Sequence, residues 1–482
     1  MVGLVATYKS LTVAIAGLAL AGCASLPQLG ARPELVRPSA LGAEQAFAGP
    51  RGAWPGQGWW RAYGDPQLDL LIAEALAGSP EVAAAAARVR AAEAIAEQAG
   101  AVTLPQVGLE ASAGGQKQSY NLGIPRQFVP RGVFDTGRIA GNFSFDLDLW
   151  GRNRAALAAA TSEAQAAAVD AEQAALLLST TVASSYAELA RLHAARDVAV
   201  QAATVRQETA VLTTQRVANG LDTLGEQRQA EARVPSARAE IAAFDEAIAL
   251  TRNRIAALLG RGPDRGLLIV RPKVVATPLG LPDTLALDLL GRRPDIVGAR
   301  LRAEAAASRI NVARADFYPN INLAAVIGLQ SFGLDQLFES GSTFGTAGPA
   351  ISLPLFQGGR LGGAYRGARA QYDESVARYD AILVTALREV ADAAASLKAL
   401  DVQLTEQRQA LAAADQAARI ARIRYQGGLA NQLTALQADD SLLAIRRDVV
   451  ELEARRFALN VALVRALGGG FQAGPNIAAG QN

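Results

Sequence analysis

The chain has 482 residues, half of them hydrophobic, with 47 Lys and Arg against 45 Asp and Glu. A net charge of +2 gives no electrostatic footprint for nucleic acid, and a single histidine leaves no set for a His-based metal site. Aromatic residues are only 5% and alanine dominates long stretches, so a length that ordinarily holds two or three domains reads instead as long helices.

From Leu11 to Ala21 the chain is apolar apart from Thr12. That run is shorter than the ~20 residues of a membrane helix and fits the core of a secretory signal peptide over 1–22. Leu20-Ala21-Gly22-Cys23 resembles the lipobox of bacterial lipoproteins. In that family the chain is cut before the cysteine, the thiol takes a diacylglycerol, and the new amino terminus is acylated. Cys23 is the only cysteine and cannot pair within its own chain, so lipidation explains both its presence and its isolation. The alternative is a signal peptide that merely contains a cysteine. Ala24 stands where an aspartate would signal retention in the inner membrane, which favours the outer membrane. The expected mature chain opens with an extended segment over 23–64. Beyond the signal no apolar run reaches 18 residues, so a membrane crossing must use strands.

The remainder repeats itself. Ser79-Pro80-Glu81 returns as Arg293-Pro294-Asp295, and Leu104-Pro105-Gln106-Val107 as Tyr318-Pro319-Asn320-Ile321. Leu147-Asp148-Leu149-Trp150 returns as Leu353-Pro354-Leu355-Phe356, and Asn219-Gly220-Leu221 as Gly427-Gly428-Leu429. Two copies of one unit are expected over 65–262 and 284–470. A linker over 263–283 joins them, and a tail follows over 471–482. Each copy orders as helix, β-hairpin (104–150, 318–357) and helical hairpin (152–260, 360–467).

Arg152 to Asn219 and Ala368 to Gln426 contain no Gly or Pro before their tips and are dense in good helix formers. In the second, Leu383, Val390, Leu397, Leu404 and Leu411 recur every seventh residue, with Val376, Leu387 and Ala394 beside them. Such a repeat supercoils and needs partner helices. Glycine turns at Gly220 and at Gly427-Gly428 send a second helix back; Pro235 lies early in the first returning helix and is expected to kink it.

The strands alternate instead. Ile139, Gly141, Phe143, Phe145, Leu147 and Leu149 interleave with Ala140, Asn142, Ser144, Asp146 and Asp148. Ile321, Leu323, Ala325, Ile327 and Leu329 interleave with Asn320, Asn322, Ala324, Val326 and Gly328. A soluble sheet over a core and a transmembrane barrel both read this way. Two hairpins supply four strands, fewer than the roughly eight of the smallest membrane barrels, so closure requires more than one chain.

Six motifs in order then resemble the TolC-like outer-membrane factors, most closely the NodT-type lipoprotein channels of RND efflux systems. They are Gly58-Trp59-Trp60 with Asp65-Pro66-Gln67-Leu68; Asp146-Leu147-Asp148-Leu149-Trp150-Gly151-Arg152; Arg292-Arg293-Pro294-Asp295-Ile296; Pro354-Leu355-Phe356-Gln357-Gly358-Gly359-Arg360; Arg424-Tyr425-Gln426-Gly427-Gly428; and Ala466-Leu467-Gly468-Gly469-Gly470. The resemblance implies a mixed α and membrane-β duct. Four strands and long antiparallel coiled-coil helices per chain would close as a homotrimeric twelve-stranded β-barrel on a twelve-helix α-barrel. It also implies a periplasmic adaptor, an inner-membrane pump that supplies the energy, and tips that close like an iris.

No nucleophile elbow or metal-ligand spacing is present, and His193 stands alone in a helix, so neither catalysis nor a cofactor is expected. Asp146 and Asp148, on the polar strand face, are candidates for facing a lumen and cationic cargo. Arg424 and Tyr425 match the family's tip motif, and Asp439 and Asp440 follow on the returning helix. These four are the gate candidates, while Gly220, Gly427 and Gly428 serve the turns. Rival readings are the duct of a type I protein secretion system and a lipid-anchored coiled-coil scaffold without a pore.

Overall fold

A computed structural model of the chain describes residues 26–42, 47, 52–121, 125–129, 131–274, 280, 282 and 285–474. Cys23 and the signal segment 1–22 lie outside the described residues, as do 275–279 of the expected linker and 475–482 of the expected tail.

Helices α1 (Pro66–Gly78) and α2 (Pro80–Ala101) lead into strands β1 (Gln106–Gln116) and β2 (Phe134–Asp146), then α3 (Arg152–Ala218) and the returning α4 (Leu224–Leu258). A four-residue helix, α5 (Asp264–Leu267), follows. The order then recurs as α6 (Leu285–Arg292), α7 (Pro294–Ala315), β3 (Asn320–Phe332), β4 (Thr343–Ser352), α8 (Arg360–Gln426) and α9 (Gln432–Ala466). The two series match in length: α2 and α7 have 22 residues each, α3 and α8 have 67, and α4 and α9 have 35. At 1.5 Å per residue, α3 and α8 are each about 100 Å long. Helix α4 is continuous through Pro235.

The chain divides into two compact units. The first comprises residues 26–34 with Val89–Ala166 and Ala299–Arg378; the second comprises Leu35–Arg88, Ala167–Gly298 and, from Tyr379, the rest of the chain. In the first unit the four strands form one antiparallel sheet in the order β1-β2-β3-β4. In the second, Tyr63, Leu71, Ile72, Tyr186, Ile255 and Phe457 anchor a continuous apolar core, with the Tyr63 and Phe457 rings 4.3 Å apart. Buried Asp65 knits that core. Its carboxylate accepts from the Tyr186 hydroxyl (2.7 Å), the Lys273 amide (2.7 Å) and the Gln67 amide (3.0 Å), so the start of α1 holds no unsatisfied polar group.

Helix α8 begins at Arg360, where the expected hairpin over 360–467 opens, and runs through Gly362, Gly363 and Gly367 ahead of the breaker-free stretch. Each glycine costs about 1 kcal/mol in a helix, but Leu361 is buried and anchors the first turn. Along α8, Val376, Leu383, Val390 and Leu404 are buried as the seven-residue pattern requires, while Leu397 and Leu411 are half-buried. The companion row is Tyr379, Ala386, Ala393 and Leu400, three residues on, with Leu387 also buried. Ala394 is only half-buried. Alanine in the companion row allows neighbouring helices to approach closely, so burial there follows geometry more than side-chain size.

Candidate functional site

Strand register sorts the sheet into two faces. Val107, Leu109 and Ala111 on β1 meet Phe143, Gly141 and Ile139 on β2. These meet Ala325, Ile327 and Leu329 on β3, which in turn meet Ala347, Gly345 and Thr343 on β4. This face is predominantly apolar on all four strands, and much of it is exposed: Val107 is 80% exposed, Ile327 76% and Ile351 67%. The opposite face carries Glu110, Ser112, Arg138, Asn142, Ser144, Asp146, Asn322 and Thr346. Strands of 10 to 13 residues suit a tilted membrane crossing. The outer sides of β1 and β4 have no strand partner among the described residues.

At the helical end of the sheet, β2 stops at Asp146, before the alternation in the sequence runs out. Asp148 therefore does not share the strand face with Asp146, which corrects the strand reading. Its φ is 46°, and its carboxylate turns onto the first amides of α3, accepting from Asn153 N (2.9 Å) and Arg154 N (3.0 Å) and from Arg154 Nε (3.2 Å). Burial works against its charge, but those amides and the Arg154 guanidinium outweigh it and hold the carboxyl below its usual range. A cap of this kind satisfies amides that no helical carbonyl reaches. Asp146 remains on the polar face, where its carboxylate accepts from the Asp148 amide (2.9 Å) and Asn320 Nδ2 (3.2 Å).

The two helical tips share one construction. In the first, Gly220 (φ 72°) lets the Leu221 amide return to the Arg216 carbonyl at 2.8 Å. In the second, Gly428 (φ 71°) lets the Leu429 amide return to the Arg424 carbonyl at 2.7 Å. Gly427 is not in the left-handed region; only Gly428 needs glycine's freedom. The returning helices are capped by Thr223 with Glu226 and by Asn431, respectively.

Of the gate candidates, Arg424 is exposed and its guanidinium has no ion-pair or hydrogen-bond partner among the described residues. The Tyr425 hydroxyl donates to Gln432 Oε1 (3.1 Å). Asp439 pairs with Arg422 (2.5 Å), an arginine the tip motif did not single out, and Asp440 lies 3.8 Å from Arg206 on α3. The first tip holds a bidentate pair absent from the sequence reading: Arg216 to Asp222, 2.8 Å on both arms, with the Asp222 carboxyl held below its usual range chiefly by that hydrogen bond. The repeat could have revealed it, because Arg424 is the counterpart of Arg216 whereas Ala430 stands in the place of Asp222. His193 lies in α3 with a buried, unpaired Nε2; burial first, then Arg252 and Arg271, push its pKa down.

A sheet apolar on one face and polar on the other, joined to helices about three times longer than a bilayer is thick, fits the subunit of an outer-membrane duct of TolC-like fold. The chain belongs to the outer membrane efflux protein family, whose family model matches residues 71–261 and 285–469. It is 34% identical over 484 residues to the multidrug resistance outer membrane protein MdtP of Escherichia coli K12, covering 96% of each chain. It is 39% identical over 370 residues to the fusaric acid resistance protein FusA of Burkholderia cepacia, covering 73% of this chain and 67% of that one. The crystal structure of the outer membrane protein VceC from Vibrio cholerae superposes with a TM-score of 0.81 at 47% identity, covering 87% of this chain and all of VceC. The chain is accordingly an efflux channel of a Gram-negative outer membrane.

Proposed function

We propose that three copies of the chain form a passive duct, anchored by lipid on Cys23, that carries small molecules outward from an inner-membrane RND pump and its periplasmic adaptor. The observation that carries this is the four-stranded sheet with one exposed apolar face and two unpartnered edges. In a bilayer no water satisfies an open edge, and four strands cannot close by themselves. Three copies bring the strand number to about twelve, within the range of membrane barrels. Names such as multidrug resistance and fusaric acid resistance among the relatives favour small-molecule cargo over secreted proteins.

The N-terminal segment supports the anchor. Arg369 donates to the carbonyls of Gly30 and Ala31, the Tyr372 hydroxyl to that of Pro33 (3.0 Å), and the Val36 amide to Asp380 (3.0 Å). The segment thus runs alongside α8 from the end nearest β4. The exposure of Arg424 and Tyr425 supports a reading in which neighbouring hairpins meet at the second tip to hold the duct closed and the adaptor docks there.

Native mass spectrometry of the gently extracted protein tests both parts. Three chains are expected, each lacking residues 1–22 and carrying acyl groups on Cys23. A monomer would refute the duct, and unmodified Cys23 would refute the anchor.

A further inference from the structure

A cavity of about 310 Å³ opens where β2 and β3 meet α3 and α7. Asp146, Asn320 and Ser352 line it, and the register places all three on the polar face of the sheet at its helical end. Another wall is a fixed aromatic plate. Trp150 and Tyr318 stack with centroids 4.7 Å apart and planes 21° apart, and Trp150 Nε1 donates to the Pro319 carbonyl at 2.8 Å. Trp150 is still about half exposed, so the plate presents open π surface.

The charges around the cavity are unequal in availability. Asp148 is committed to the cap of α3 and to Arg154, and Asp316 to Arg152 at 2.7 Å. Asp146 accepts only from two neutral donors and has no cationic partner among the described residues. A carboxylate lacking a counter-ion beside a pinned indole suits one kind of ligand, a cation with a flat aromatic body. The carboxylate neutralises its charge and the ring faces attract it by cation–π interaction. The second repeat lacks the pair: Ser352 stands where Asp146 does, and Phe356, the counterpart of Trp150, is 90% exposed.

We propose that this cavity is a subsite for aromatic organic cations, one per chain, on the export path at the entrance to the β section. The proposal rests on the duct reading above, because only a duct brings cargo past this surface.

The test is a fluorescence-anisotropy titration of ethidium, with anionic fluorescein as the control, on the full-length protein in zwitterionic lipid nanodiscs. Single-channel conductance of the wild type is recorded first; if it does not conduct, the duct reading falls and this inference with it. With conduction established, the expected result is that ethidium binds and fluorescein does not. Asp146→Asn should weaken ethidium binding about five- to tenfold, the loss of one charged contact, and Ser352→Asp should tighten it. Equal ethidium binding by wild type, D146N and S352D overturns the subsite, as does equal binding of fluorescein. Absence of ethidium binding to a conducting wild type also overturns it. Ser352 is exposed, so S352D still decides the question if D146N fails to assemble.

Discussion

Arg216 and Arg424 occupy the same turn of two equivalent tips, yet only Arg216 has a carboxylate within its own tip. Asp222 closes the first tip on itself, and Ala430 leaves Arg424 free to reach elsewhere. If Arg424 holds the duct closed through a neighbouring hairpin, Ala430→Asp should compete for it and raise the open probability several-fold in planar bilayers. Unchanged opening would remove Arg424 from the gate. The first tip also has a pH signature. The Asp222 carboxyl is held below its ordinary value of 3.8, so its contribution is complete above that value and is lost as pH falls through the depressed one. Limited proteolysis should therefore find the first tip intact at pH 5 and loosened only in stronger acid, and Asp222→Asn should remove that acid step.

At the scale of elements, the seam of α8 divides into positions sealed within one chain and positions half open. Leu383 is fully buried, so Leu383→Ala should cost about 2–5 kcal/mol, read as a lowered melting temperature in detergent. Leu397→Ala should cost clearly less, because its side chain is only half-buried. The sheet has its own constraint at Gly328, where an added Cβ would collide with the Ile139 carbonyl and the Ala140 backbone. Gly328→Val should therefore force β2 and β3 apart and abolish assembly, whereas Gly348→Val, with open space around it, should be tolerated. Heat-resistant oligomer on a gel distinguishes the two.

For the whole molecule, the exposed apolar face and the two free strand edges are both liabilities in water and requirements in a bilayer. Assembly should thus depend on the strands and not on the anchor. Cys23→Ser is expected to lose the acyl mass while retaining the trimer, with a reduced share of protein recovered in the outer-membrane fraction. Loss of the trimer in C23S would show that the lipid helps to build the duct and does more than tether it.

Much of this protein is written locally. The duplicated Pro and Gly punctuation, the breaker-free helices and the two-residue alternation of the strands each depend on neighbours a few residues apart, so the sequence alone determined the repeat, the element types and the glycine tips. What depended on residues far apart in the chain was settled only in three dimensions. Asp148 looked like one more polar strand position until its carboxylate was seen under the amides of α3. Asp439 looked like a partner for the tip motif until it was seen on Arg422. Trp150 and Tyr318 belong to different repeats, and nothing in either local pattern says that they stack. Periodicity records which face a residue occupies; which distant group shares that face is decided by packing, and there the carboxylate of Asp146, bonded to neutral donors alone among the described residues, acquires its meaning.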